Sequence, residues 1–376
     1  MKRRRVRGLR KGPPWIDFPL HCQLPALLKQ PAAAFEVGIL APGEIAAAFA
    51  HTLHTNTDQR IVAVASRSKD RAVAFGRDFG IGKSYNSYEQ LLGDDNVDIV
   101  YIAAPHSEHR KLALMAISAG KHVLVEKPIT VTADEARDVA HAARRGGVFA
   151  MEAMWTRYLP QTDIVRQLLA DGALGEVSLV TADLGFACPY NADARWWNPS
   201  LGGGALLDLG VYPISFASFV LGAPTTVIGT GITAASGVDA QASLILDSPN
   251  NAQALLNASL LSETPAVASI SGRLGHITID SPFMMPSAIT LHAPGGKAKL
   301  RWEDASGIYG RDGLCYQAVA AARYIREGLT ESPWHSLDET VAVMETIDDA
   351  RRQVAAQAGG VRAAAKSKRA LAEAEN

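Results

Sequence analysis

Cysteine is scarce in this 376-residue chain: Cys22, Cys188 and Cys315 are widely spaced and form no CxxC pair. Neither a disulfide framework nor a cysteine zinc site is expected, and a reducing cytoplasm is the compartment such usage suits. No other cluster with the spacing of metal ligands is visible, so no metal is expected. An excess of charge of one sign is also missing. The formal net charge is -1, so the chain as a whole carries no electrostatic footprint for nucleic acid or an anionic membrane. No apolar run reaches the ~18 residues that span a bilayer, and no repeat of solenoid period is found. What the chain does have is 48% hydrophobic residues against 20% charged. That balance describes a folded protein, and the length suggests two domains of roughly 100–200 residues each.

The small net charge hides an asymmetry. Residues 1–30 carry eight basic groups against Asp17 alone, giving this segment +7 and leaving -8 for the remainder. MKRRRVRGLRK reads either as a targeting signal or as a solvated extension. A twin-arginine signal needs a following apolar stretch, and GPPWIDFPLHCQLP breaks that stretch with prolines. Residues 1–34 are therefore expected to be a disordered extension, and residues 360–376 a flexible tail.

From Phe35 the pattern becomes regular. Apolar runs FEVGIL, IVAVAS, VDIVYIAAP, HVLVEKP and VFAME alternate with segments of helical spacing, such as Ile45, Ala46, Phe49 and Leu53. Strands that are apolar throughout, alternating with amphipathic helices, make a doubly wound parallel sheet over residues 35–155. Beyond a helix near Ile164 to Leu169, the runs VSLVTADLGF, SLILD, ALLNASLL, AVASISG, HITID and AITLHA follow one another without helices. They predict an α+β second domain with a mostly antiparallel open sheet over residues 156–359, closed by helices around Tyr316–Ile325 and Leu337–Ala355.

The first strand ends in GILAPGEIAAAF, which lies close to the dinucleotide fingerprint G-x-G-x-x-G/A with Ala41, Gly43 and Ala46 at its key positions. Ala41, Pro42, Gly43, Glu44 and Ile45 form the candidate phosphate turn, against the plainer reading of a structural strand-to-helix turn. Ala41 departs from the glycine pattern where a side chain costs free energy. At the end of the second strand an NAD reader places Asp or Glu, but Ser66 and Arg67 stand here. Both can donate to a 2′-phosphate, so NADP is favoured over NAD, unless Arg67 is simply a surface arginine. VLVEKP sets Glu126, Lys127 and Pro128 at the carboxyl end of another parallel strand, where ligands of such sheets bind. Desolvation there would depress the Lys127 pKa toward catalytic use, whereas a solvated strand-end charge would do nothing. GGGALLDLGVYPI spaces Asp208 and Tyr212 four apart, on one face of a helix. Tyr212 could donate a proton and Asp208 could orient a hydroxyl or Lys127; a helix cap with a buried tyrosine is the bland alternative.

Taken in order, APGEIA, AAPHSEH, VLVEKP, EAMWTRYLP and GGGALLDLGVYPI resemble the Gfo/Idh/MocA oxidoreductases, over about Phe35 to Gly359. The likeness is strongest to the branch of dimeric dihydrodiol dehydrogenases and NADP-dependent xylose dehydrogenases. The resemblance implies that Lys127 is the catalytic lysine, with Tyr212 as the acid/base partner and Asp208 beside them. Trp155, Arg157, Asp208 and Tyr212 would line the substrate site. Ala104, Pro105, His106 and His109 would flank the nicotinamide half of the cofactor, with Glu126 and Lys127 adjoining it. The expected activity is an NADP-dependent dehydrogenase acting on a hydroxyl of a sugar or cyclic vicinal diol, in a homodimer or larger homo-oligomer. Two alternatives share the fold: a non-catalytic nucleotide sensor and an NAD-dependent glycosidase.

Overall fold

The computed structural model describes residue 22 and residues 24–28, 35–296 and 298–374. The basic run MKRRRVRGLRK lies outside the described residues. Within the stretch expected to be an extension, a short helical turn, α1 (Leu24–Leu27), sits on the folded body. Leu28 is buried, and Leu24 lines a small crevice with Tyr158, Tyr316 and Trp334. Apolar side chains on one side of the turn account for that docking.

Six strands make the first sheet: β1 (Glu36–Leu40), β2 (Arg60–Ala65), β3 (Lys83–Tyr85), β4 (Ile99–Ile102), β5 (His122–Glu126) and β6 (Ala150–Ala153). Their order is β3-β2-β1-β4-β5-β6, and every pairing is parallel. The helices between them are α2 (Glu44–Asn56), α3 (Lys69–Asp78), α4 (Tyr88–Leu92), α5 (His106–Ser118) and α6 (Ala133–Gly146). Helix α2 buries Ala46, Phe49, Ala50 and Leu53, as the 3.6-residue period requires. Phe49 stacks on Tyr101 of β4 with ring centroids 3.8 Å apart. Burial of one such ring contributes about 2–3 kcal/mol. Ser68 and Thr132 cap α3 and α6 by accepting from Arg71 N and Glu135 N. The short pair β3 and α4 carries too few apolar residues to stand out in the sequence.

After α7 (Pro160–Ala170) comes the second sheet. Its strands are β7 (Val177–Gly185), β8 (Thr226–Thr233), β9 (Asp239–Asp247), β10 (Gln253–Ser259), β11 (Ala268–Gly272), β12 (Gly275–Ile279), β13 (Ile289–His292) and β14 (Lys299–Trp302). The order is β14-β13-β12-β11-β7-β10-β9-β8. Only β7 and β10 pair in parallel, so the sheet is mostly antiparallel, as the run of successive strands predicts. The edge strands β8 and β14 escape the sequence reading, β8 because glycines interrupt it and β14 because it is short and charged.

Helix α8 (Val211–Leu221) covers one face of this sheet. Helix α9 (Leu314–Arg326) returns to pack on α2 of the first domain, and α10 (Leu337–Ala374) packs on both α6 and β8. One buried cluster joins Val125 of β5 and Ile129 just after that strand to Leu206, Val211 and Ala258 of the second half. The residues at the carboxyl end of β5 therefore face α8. Pro199–Leu221 has the length and hydropathy of a membrane-crossing stretch, but 72% of its most apolar window is buried inside the protein.

Candidate active site

The phosphate turn begins with a strained residue. Ala41 has φ 61°, the left-handed conformation that glycine adopts freely and alanine does not. Gly43 follows in extended geometry as the N-cap of α2, with no side chain capping the helix. A Cβ added at Gly43 would meet nothing within 4 Å, so backbone N–H groups face open space at a helix N-terminus. That open cradle fits a pyrophosphate. Pro42 is buried and Ile45 half-buried, while Glu44 is exposed and paired with Arg311 at 2.6 Å. At the end of β2, Ser66 is buried and its Oγ accepts from Ser68 N at 3.2 Å. Arg67 is exposed, and Arg67 and Arg71 both act on the Tyr88 phenol. The strand end thus carries a buried hydroxyl and an exposed arginine, and no carboxylate.

The candidate residues Lys127, Asp208 and Tyr212 gather where β5 meets α8. Lys127 Nζ donates to the Asp208 carbonyl at 2.8 Å and to Asp208 Oδ1 at 3.2 Å. The same Nζ lies 4.9 Å from the centroid of the Tyr212 ring. Trp155 Nε1 donates to Tyr212 Oη at 3.1 Å. Asp208 lies in a π-helical turn, Leu206–Gly210, and Tyr212 in the first turn of α8. The expected regular helix is therefore wider at this point, a local irregularity common at functional sites. The glycines before it allow close approach to protein rather than to a ligand. A Cβ on Gly203 would lie 2.7 Å from the Arg195 carbonyl and 2.8 Å from that of Trp196. On Gly202, with φ 75°, it would lie 2.8 Å from His106 Cβ.

Arg195, which the sequence reading passed over, completes the cluster. Its NH1 donates to Asp208 Oδ1 at 2.9 Å and its NH2 to Oδ2 at 3.2 Å. Arg195 sits in an irregular loop, and only the flanking WW pair marks its surroundings. His106 Nε2 lies 3.9 Å from Asp208, but burial pushes its pKa down to about 3, so at neutral pH this is not an ion pair. Burial works against the Asp208 carboxylate too, yet Lys127 and Arg195 overcome it and hold its pKa well below the ordinary value.

Three expectations change. Burial does oppose the Lys127 ammonium, but the opposing charge of Asp208, with Tyr212 and Glu126, outweighs it and raises the lysine above its ordinary pKa. The expected depression fails because the sequence does not show the carboxylate 81 residues away. His109 is wholly buried, with Nδ1 2.8 Å from the Pro128 carbonyl and Nε2 2.8 Å from the Ala104 carbonyl. It ties the ends of β4 and β5 together and has no free edge for a nicotinamide. Arg157 is also buried, and its donors are taken by Ser215 and by Glu339 at 2.5 Å. Its guanidinium thereby ties the segment after β6 to α8 and α10. Ala104 and Pro105 stand at the end of β4, with Pro105 as the N-cap of α5. Glu126 accepts from Tyr101 Oη at 2.5 Å, and burial lifts its pKa to about 7.

The chain as a whole resembles known proteins. Residues 35–154 match the oxidoreductase family with an NAD-binding Rossmann fold, and residues 162–278 match the GFO/IDH/MocA C-terminal domain. The chain is 34% identical over 332 residues to mouse trans-1,2-dihydrobenzene-1,2-diol dehydrogenase, covering 85% of this chain and 97% of the relative. Among solved structures, a 3-ketoreductase from Actinomadura kijaniata in complex with NADP and TDP-benzene superposes with TM-score 0.71 at 26% identity, covering 85% and 97% of the two chains. An aldose-aldose oxidoreductase from Caulobacter crescentus, complexed with glycerol, gives TM-score 0.76 at 25% identity with the same coverage. The chain therefore belongs to the Gfo/Idh/MocA family of NAD(P)-dependent oxidoreductases.

Proposed function

We propose that this protein is an NADP-dependent dehydrogenase that oxidises a hydroxyl of a cyclic vicinal diol or a sugar, and reduces the corresponding carbonyl. The carrying observation is Lys127 held between Asp208 and the Tyr212 ring at the carboxyl end of β5. The Gly43 turn would hold the phosphates of the dinucleotide, and Ser66 and Arg67 its 2′-phosphate; when bound, its nicotinamide would supply the hydride-accepting ring.

The protein's own groups manage the oxygen and its proton. In reduction, the Lys127 ammonium stabilises negative charge developing on the carbonyl oxygen, and the Tyr212 hydroxyl delivers a proton to it. In oxidation, the substrate hydroxyl passes its proton to Tyr212 or Lys127, one of which must first be unprotonated. Asp208 keeps Lys127 aimed at that oxygen, and Trp155 fixes the Tyr212 hydroxyl through its indole N–H. The names of the relatives, a dihydrodiol dehydrogenase and an aldose oxidoreductase, support a diol or sugar as substrate.

A screen of dihydrodiols, pentoses, hexoses and inositols with each cofactor tests the reading. At least tenfold preference for NADP in kcat/KM is expected, and Ser66→Asp should move it toward NAD. Equal use of both cofactors by the parent would overturn the NADP assignment. Tight NADPH binding without turnover of any polyol would favour the sensor, and retained cofactor with no net absorbance change would favour the glycosidase.

We also propose a homodimer built sheet to sheet. Ile228, Ile245 and Leu255 are exposed and lie side by side across β8, β9 and β10 on the open face. Light scattering at micromolar concentration should give twice the chain mass, and a strict monomer would refute this. The three unpaired cysteines suit a reducing cytoplasm.

A further inference from the structure

Asp208 is shared by two cations from different parts of the chain. Lys127 arrives from the end of β5, and Arg195 from the loop that follows β7. Arg195 NH1 stands 2.9 Å and Lys127 Nζ 3.2 Å from the same Oδ1, so the two nitrogens are at most 6.1 Å apart, the sum of those distances. The Lys127 and Asp208 side chains are 14% and 6% exposed, whereas that of Arg195 is 41% exposed. Arg195 thus closes the cluster from the solvent side.

We propose that Arg195 is a positioning residue for the lysine chemistry: it clamps both Asp208 oxygens and holds down the proton affinity of Lys127, so that the lysine can exchange its proton during turnover. The proposal rests on the role given to Lys127 above. Two cations on one carboxylate oxygen repel each other while each is attracted to it. Without Arg195, the whole Asp208 charge would favour the ammonium.

The groups that act on Lys127 come from every neighbouring element. Glu126 on β5, Asp208 in the π-helical turn and Tyr212 on α8 favour its charged form, while Arg195 opposes it. His106 and His109 on α5 are both held toward neutrality, chiefly by burial. Arg195 is therefore the charged counterweight to Asp208. The loop around it has other anchors: Trp197 is buried with Nε1 donating to the Pro189 carbonyl at 3.0 Å, and Asn198 accepts from Ser200 N at 2.9 Å. Loss of Arg195 should leave that loop folded.

The test measures the Lys127 proton affinity directly. The pH dependence of its acetylation by trace acetic anhydride is followed by mass spectrometry in the parent, Arg195→Gln and Arg195→Lys. The midpoint should rise by roughly one pH unit in Arg195→Gln, for charges near 6 Å at the rim of a protein, and by less in Arg195→Lys. An unchanged midpoint in Arg195→Gln overturns the proposal. In turnover, the pH profile of kcat/KM should move the same way, and millimolar guanidinium should restore it in Arg195→Ala, which a purely structural role would not permit. Because labelling needs no substrate, absence of polyol turnover would count against the dehydrogenase reading while the labelling still decides the role of Arg195.

Discussion

Two clusters of paired charges flank α8 and are built in contrasting ways. At the crevice, Asp208 gathers Lys127 and Arg195, and the guanidinium reaches solvent. One turn further along α8, Arg157 binds Ser215 and Glu339, and Ser218 Oγ donates to Glu339 at 3.0 Å. His335 lies 3.5 Å from Glu339 and 2.9 Å from Glu152, which accepts from Ile129 N just beyond the Lys127–Pro128 step. In this second cluster the side chains of His335 and Glu152 have no exposed surface and that of Arg157 almost none, while Glu339 alone reaches solvent, at 27%. Such a network holds α8 and the β5 loop together. The first cluster keeps donors facing the crevice, and there charge can act on a ligand.

The sharpest way to test the contrast is to damage each cluster in turn. Lys127→Met removes the crevice ammonium while Arg195 still satisfies Asp208. Turnover should fall by roughly 10²–10⁴, with NADPH binding by fluorescence titration and the thermal midpoint nearly kept. Turnover within a few-fold of the parent would place the chemistry elsewhere. Arg157→Met removes the guanidinium from the second network and leaves Glu339 with Ser218 and His335 alone. It should cost about 3–5 kcal/mol of stability in denaturant melts, with kcat of the folded fraction changed much less. If both variants lose the same property, the contrast is wrong.

The two clusters also predict how pH acts. Lys127 and Tyr212 both sit above their ordinary values, Tyr212 chiefly through burial, so both are protonated at neutral pH. Carbonyl reduction should then be favoured near neutrality, and alcohol oxidation should climb as pH rises into the alkaline range. Initial rates in both directions across pH 6–10 check this, and an oxidation rate that falls with pH would contradict it. Stability follows the carboxylates. Glu339, pulled down to about 2 by His335 and Arg157 against burial, stabilises the fold above the ordinary carboxyl pKa, and that stability is lost as pH falls toward 2. Burial lifts Glu126 to about 7 and Asp239 to about 6, so each binds its proton more tightly when folded. Their contribution has the opposite sign and grows as pH drops from 7 toward the ordinary carboxyl range. The thermal midpoint should therefore peak in mild acid.

The smallest effect concerns the turn opposite these clusters. Ala41→Gly removes a left-handed alanine, worth about 1–2 kcal/mol, but adds unfolded-chain entropy of about 0.4–1 kcal/mol. A net gain below about 1 kcal/mol is expected, read as a rise of a few degrees at most in the thermal midpoint. A clear loss would show that the Ala41 methyl packs usefully against its neighbours.

How much of this was legible beforehand depends on how far apart the interacting residues lie. Central strands and amphipathic helices declare themselves through local period, so the parallel sheet, α2 and most of the second sheet follow from the residues alone. Lys127, Asp208 and Tyr212 could be singled out by their strand-end and glycine-flanked contexts. Their electrostatics could not, since the Lys127–Asp208 pair joins residues 81 apart. The ion pair of Arg157 was hidden for the same reason, its partner Glu339 lying 182 residues away. Arg195 sits in a loop without period, where nothing local tells a clamping arginine from a solvated one.

The path of the chain has a consequence for its synthesis. The first sheet is finished at β6, yet α2 is covered by α9 and α6 by α10, both made last. Ala150 N at the edge of that sheet also donates to the Thr330 carbonyl at 3.0 Å. At about 5–20 residues per second, the ribosome needs on the order of 10–40 s to extend from β6 to the closing helices. Throughout that interval the nucleotide-binding half presents uncovered apolar helix faces. It is the second half of the chain, arriving from the far end, that completes the first.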